Sequence, residues 1–174
     1  MENKFYNNIM AIITLKGNEI NTSGALPLIG EKLHNFSLVA VDLSTKTLTD
    51  FSGNKLVLNI YPSVDTGTCA ASTRKFNELA SSVSNTKVLC ISRDLPFAQN
   101  RFCGAENLEN VIMLSDFNTG KFGTDNGLRI TNGPLAGLHS RCVIVIDENN
   151  TILHTEQVSE IVDEPNYDAV LGVL

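Results

Sequence analysis

The sequence contains no run of basic residues, no CxxC pair, no closely spaced set of metal-ligating side chains and no long apolar stretch. Each absence removes a class of function. Lys and Arg number 13 against 19 Asp and Glu, a net charge of −6. Without a basic stripe there is nothing to neutralise phosphates, so nucleic-acid binding is not expected. A membrane-spanning helix needs about 20 consecutive apolar residues, and no membrane association is expected. The apolar stretch at 9–15 is short, contains Thr14 and lacks a small-residue cleavage pattern after it, so it is not read as a secretion signal. A cytoplasmic location is the expectation.

Cysteine is sparse. The four residues Cys69, Cys90, Cys103 and Cys142 are too few and too scattered for a secreted disulfide framework. Three isolated histidines, His34, His139 and His154, offer no zinc pattern. No metal or other cofactor is expected. In a reducing compartment, redox catalysis is the natural use for a special thiol pair.

What is present is an ordinary globular composition, with 43% hydrophobic and 18% charged residues in 174. One domain over 10–174 is expected, preceded by a polar, disordered extension at 1–9. Residues 12–15 and 19–22 flank Lys16-Gly17-Asn18 as a hairpin. Residues 36–41 and 47–49 read as a second strand pair. Strands follow at 56–61, 87–92, 111–114, 142–146 and 152–155. Helices are predicted after residue 66, from Pro96, and near Pro165, with a helical turn over 117–122. Strands alternating with helices and closing in a hairpin predict an α/β fold of thioredoxin-like type. Its mixed central sheet would be flanked by helices on both faces, with an added N-terminal β-hairpin.

The run Pro62-Ser63-Val64-Asp65-Thr66-Gly67-Thr68-Cys69 carries the most information. Before it, Leu56-Val57-Leu58-Asn59-Ile60-Tyr61 has the near-continuous apolar character of a strand buried on both faces. After it, Phe76, Leu79, Ala80 and Val83 fall at helical spacing. Cys69 is therefore placed at a helix start, where free N–H groups and the positive dipole end favour thiolate, the reactive form.

The motif Pro-x-x-x-Thr-x-x-Cys at Pro62, Thr66 and Cys69 resembles the active-site signature of peroxiredoxins. The likeness is greatest to their thiol peroxidase subfamily, the bacterial atypical two-cysteine enzymes. It continues through Arg74-Lys75-Phe76-Asn77, Val88-Leu89-Cys90-Ile91-Ser92, Asp94-Leu95-Pro96-Phe97-Ala98-Gln99 and Arg101-Phe102-Cys103-Gly104-Ala105-Glu106. The resemblance implies a peroxidase that reduces hydrogen peroxide and alkyl hydroperoxides, recycled by thioredoxin and assembled as a homodimer. It implies Arg141 as the cation beside the thiolate and Cys103 as the resolving thiol that forms an intrachain disulfide with Cys69.

The chemistry fits those residue types. Attack on a weak O–O bond needs an ionised sulfur, an aligned distal oxygen and stabilisation of the charge growing on the leaving oxygen. Cys69 supplies the nucleophile, Thr66 a hydroxyl three residues away, and Pro62 a flank without an N–H. Guanidinium suits the cation because it stays charged and carries several donors. The thiols sit on separate helices, so their union requires the Cys69 helix start and the Cys103 segment to rearrange, with Gly67 and Gly104 as pivots.

Cys90 and Cys142 are read as packing residues. Glu78, Asp94 and Glu106 are read as caps or solvated charges, the histidines as polar surface or loop residues, and Phe97, Phe102 and Tyr167 as core or subunit contacts. A general thiol–disulfide oxidoreductase is disfavoured by the missing CxxC. A redox-regulated sensor or binding protein that uses the same disulfide is the non-enzymatic alternative.

Overall fold

A computed structural model describes residues 10–174. The extension predicted at 1–9 lies outside the described residues. The first two strands, β1 (Ile12–Leu15) and β2 (Asn18–Asn21), form an antiparallel hairpin. Lys16 and Gly17 make its turn at φ 51° and 80°, the left-handed pair that matches strand twist in a two-residue hairpin loop.

The main sheet has seven strands. In chain order they are β3 (Ser37–Ala40), β4 (Thr45–Thr47), β5 (Lys55–Ile60), β6 (Thr86–Ser92), β7 (Val111–Ser115), β8 (Cys142–Ile146) and β9 (Ile152–Gln157), arranged in space as β4-β3-β7-β6-β5-β8-β9. The central trio β5, β6 and β7 is parallel, and the outer pairings are antiparallel. Helices α1 (Gly67–Ala80) and α2 (Pro96–Glu106) are the crossovers that parallel pairing requires.

Side-chain alternation divides the interior into two layers. Leu56, Leu58, Ile60, Leu89, Ile91, Cys142, Ile144 and Ile146 face a core closed by Phe36, Phe51 and Phe122. Val57, Tyr61, Val88, Cys90, Val143 and Val145 face the opposite core, which also holds Cys69, Phe76, Phe102 and Cys103. Helices α1, α2 and α4 (Tyr167–Leu171) cover this second face, and the short α3 (Lys121–Asp125) supplies Phe122 to the first. The two predicted faces are therefore both covered, but unequally. Phe76 and Tyr167 meet edge to face at 5.2 Å and lock α4 onto α1.

Several boundaries differ from the sequence reading. Helix α1 stops at Ala80, short of Val83, because Ser81 and Ser82 turn their hydroxyls onto the carbonyls of Glu78 and Leu79 at 2.7 and 2.8 Å. The helical turn predicted at 117–122 starts only at Lys121, because Gly120 has φ 66°. The fourth strand lies at Thr45–Thr47 rather than 47–49, since the Asp50 carboxylate accepts the Thr47 N–H at 2.7 Å and starts a 3-10 turn there.

The chain that leaves the hairpin makes a close backbone contact at residues 24–25 with Gly127. Gly127 has φ 70°, and a Cβ there would lie 2.2 Å from the Ala25 carbonyl oxygen. Replacing Gly127 with Ala adds backbone strain to a clash with main chain, and we expect a loss of about 2–4 kcal/mol. A lower urea midpoint at unchanged slope would register that loss; a midpoint equal to the native one would refute it.

Candidate active site

Two segments far apart in sequence meet at one sulfur: the turn that opens α1 and the residue before β8. Strand β5 ends at buried Ile60, and the chain passes through buried Tyr61 and Pro62 into the turn before α1. Thr66 occupies the N-cap position with extended backbone, and Cys69 is the third residue of the helix and 0% exposed. An N-cap threonine ordinarily accepts a first-turn N–H through its hydroxyl. Here Thr66 caps nothing, and its Oγ1 lies 2.7 Å from the Cys69 sulfur and 3.2 Å from the Ser63 carbonyl. The single hydroxyl proton goes to sulfur when sulfur is anionic. When sulfur carries its own proton, the hydroxyl turns to Ser63.

Arg141 precedes β8 and is 2% exposed. Its Nη2 donates to the Cys69 sulfur at 3.2 Å, and its Nε donates to the Ile161 carbonyl at 2.8 Å. Nη1 is buried and has no hydrogen-bond partner among the described residues. The fold thus brings together Thr66, Cys69 and Arg141, while Pro62 is buried at the strand exit.

Cys103 lies on α2 in the same core layer as Cys69, half-buried, and all four cysteines are free thiols. Burial pushes the Cys103 thiol above its ordinary range. Cys90 and Cys142 are fully buried, and desolvation pushes each up to about 12. That suits packing and opposes reactivity. Cys142 also faces the opposite core layer from the other three. The described residues contain no cluster of metal-ligating side chains.

The sequence reading missed the role of Asp94. Its carboxylate accepts from Ser63 Oγ at 2.7 Å, the Val64 N–H at 2.8 Å and Ser92 Oγ at 2.6 Å. Ser92 Oγ in turn accepts from Gln99, which is fully buried on α2 and donates also to the Leu114 carbonyl. Asp94 therefore ties the turn before Cys69 to the helix that carries Cys103. Glu106 is not merely solvated either: Arg74 of α1 grips it through two hydrogen bonds of 2.7 and 2.9 Å. His139, expected at the surface or in a loop, is fully buried, with Nε2 3.2 Å from Asp116 Oδ2. The residue missing in each case was a partner distant in sequence.

Asp94→Asn turns one acceptor oxygen into a donor that faces existing donors. Were Cys69 the peroxide-attacking thiol that the resemblance implies, its oxidation by peroxide would slow about tenfold, the kinetic equivalent of one weakened charge-assisted hydrogen bond. Single-turnover measurement of thiol oxidation is the check, and a native rate would show that the turn holds without Asp94.

The profile of the Redoxin family matches residues 28–171. A thiol peroxidase from Corynebacterium glutamicum is 54% identical over 165 residues, covering 95% of this chain and 99% of that protein. The crystal structure of a peroxiredoxin-like protein from Aquifex aeolicus superposes with a TM-score of 0.88 at 35% identity, covering 94% of this chain and 95% of that one. A thiol peroxidase from Chromobacterium violaceum, at 24% identity, shares the fold with a TM-score of 0.87 over 92% of this chain and 94% of its own. With a buried cysteine, a threonine and an arginine already gathered at the start of α1, these likenesses place the chain in the redoxin family, among its thiol peroxidases.

Proposed function

We propose that this thiol-dependent peroxidase uses Cys69 as its peroxide-attacking thiol and Cys103 as its resolving thiol. The observation that carries the assignment is the Arg141 Nη2 contact with the Cys69 sulfur at 3.2 Å, opposite the Thr66 hydroxyl at 2.7 Å. These donors favour a thiolate, and both can serve a peroxide that approaches the sulfur. The thiolate attacks one peroxide oxygen and the O–O bond breaks. The leaving oxygen departs as water or an alcohol after taking a proton. Arg141 Nη1 is the donor free to stabilise the charge growing on that oxygen.

Cys69 then carries a sulfenic acid. The Cys103 sulfur displaces its hydroxyl as water and forms the Cys69–Cys103 disulfide. Thioredoxin, by exchange with its own dithiol, returns both to thiols. Joining the two sulfurs moves the first turn of α1 or the Cys103 segment of α2. Gly67 and Gly104 are the pivots, and a side chain added at either would meet no neighbouring atom within 4 Å.

Hydrogen peroxide and alkyl hydroperoxides are the proposed substrates. Leu95 and Phe97, at the start of α2, are 51% and 65% exposed. They support pairing with a second copy of the chain, and of the core or subunit-contact roles expected for Phe97 its exposure favours the second. No helix among the described residues is long and apolar enough to cross a membrane, and the cytoplasm is the proposed site of action. The sensor alternative gains no support from the relatives.

Cys69→Ser is expected to abolish peroxide-dependent NADPH oxidation in an assay coupled through thioredoxin reductase and thioredoxin. Cys103→Ser keeps a single stoichiometric oxidation of Cys69 and loses recycling. Full turnover in either variant would reject the corresponding role. Light scattering across a concentration series tests the pairing, and a persistent monomer rejects it.

A further inference from the structure

The carboxylate of Glu160 holds a part of the molecule that the peroxide chemistry leaves unexplained. Lys16 and Gly17 both have positive φ, 51° and 80°. Successive N–H groups in such a turn converge on a concavity that binds anions. Glu160 is its anion: Oε1 accepts the Lys16 N–H at 2.9 Å, and Oε2 accepts the Gly17 N–H at 3.0 Å and the Thr14 hydroxyl at 2.8 Å. These bonds, with the Gly17 N–H the largest influence, hold the carboxyl down to about 2. It is ionised wherever the enzyme works.

Glu160 belongs to the irregular strap that leaves β9, and the strap has two sides. On one side it pairs with the hairpin, where the Thr14 N–H donates to the Ser159 carbonyl at 2.7 Å and the Ile161 N–H to the Thr14 carbonyl at 2.8 Å. On the other side it reaches the reactive sulfur's neighbours. The Ile161 carbonyl accepts Arg141 Nε at 2.8 Å, and the Val162 carbonyl accepts Thr68 Oγ1, in the first turn of α1, at 2.7 Å. The Val158 N–H returns to the Arg141 carbonyl at 3.0 Å. A guanidinium fixed at Nε by a loop carbonyl is aimed only as well as the loop is held. Misplacement by about 1 Å at a catalytic group costs on the order of a hundredfold in rate.

We propose that Glu160 is a positioning residue for peroxide reduction: by gripping the Lys16–Gly17 turn it fixes the strap whose Ile161 carbonyl aims Arg141 at Cys69. The N-terminal hairpin thereby becomes part of the catalytic apparatus. The proposal rests on the role given to Arg141 above.

The test compares single-turnover rates of Cys69 oxidation by hydrogen peroxide in E160Q, R141A, the double variant E160Q/R141A, and T14V. E160Q should lose about tenfold in the native background, with an unchanged KM for thioredoxin. In the R141A background the same substitution should cost no more than about twofold, because the group it aims is gone. T14V removes one donor from the clamp and tests it from the hairpin side should E160Q fold poorly. It should lose about threefold, and E160Q/T14V should be no slower than E160Q alone. A native rate in both E160Q and T14V overturns the proposal. An equal fold-loss from E160Q with and without Arg141 also overturns it, by showing a general structural effect. A native rate in R141A would separately remove the guanidinium from the mechanism, and this proposal with it.

Discussion

A guanidinium that is 2% exposed must be compensated where it lies, because an unpaired charge in a protein interior is strongly unfavourable. Among the described residues no carboxylate pairs with Arg141. Its hydrogen bonds go to a carbonyl and to the Cys69 sulfur. Among the described residues Cys69 is therefore the side chain that meets the buried cation, and a thiolate there would compensate it. The dependence runs both ways: a thiolate without the guanidinium would be an isolated buried anion.

The scaffold converts that pairing into geometry through three anchors. Strand alternation sends Arg141 to the helix-covered side, in step with Val143 and Val145, while Cys142 faces the other core. The N-terminus of α1 presents Cys69, and Thr66 gives up its capping role to serve the sulfur. The Asp94 carboxylate fixes the intervening turn from the far side. Each anchor comes from a different crossover of the sheet. The site therefore forms only when the sheet does.

Much of this was legible in the chain. The apolar run before Pro62 and the helical spacing after Cys69 gave the strand, turn and helix, because local periodicity dominates there. Arg141 could be named only by resemblance, although strand parity points the same way once 142–146 is accepted as a strand buried on both faces. Asp94, Glu160 and His139 were not legible. A carboxylate that receives three N–H or O–H donors looks, in sequence, like one that faces water. Its partners are contributed by tertiary structure: residues 63 and 64 for Asp94, residues 14 to 17 for Glu160. Glu106 went unread for the same reason, its partner Arg74 lying one helix away.

Cys69 and Cys103 lie in different settings: Cys69 is 0% exposed with the Arg141 guanidinium and the Thr66 hydroxyl on its sulfur, whereas Cys103 is half-buried on α2. Burial raises the Cys103 thiol above its ordinary range while α2 is intact, which disfavours its thiolate. Gln99 anchors the first turns of α2 to β6 and β7, whereas the segment from Cys103 onward is joined to α1 by the Arg74–Glu106 pair, with side chains 49% and 32% exposed. An exposed pair of this kind contributes at most about 1 kcal/mol, so the packing of Phe102, Cys103 and Leu108 against the core is what chiefly holds the end of the helix. Movement into water removes the desolvation that disfavoured the thiolate, and the thiolate fraction rises as the segment opens. A raised pKa in the folded segment stabilises it below the ordinary thiol range, and that contribution fades as pH rises through the range. Under the proposed role of Cys103, opening the segment and activating its thiol would be one event, driven by the same loss of burial.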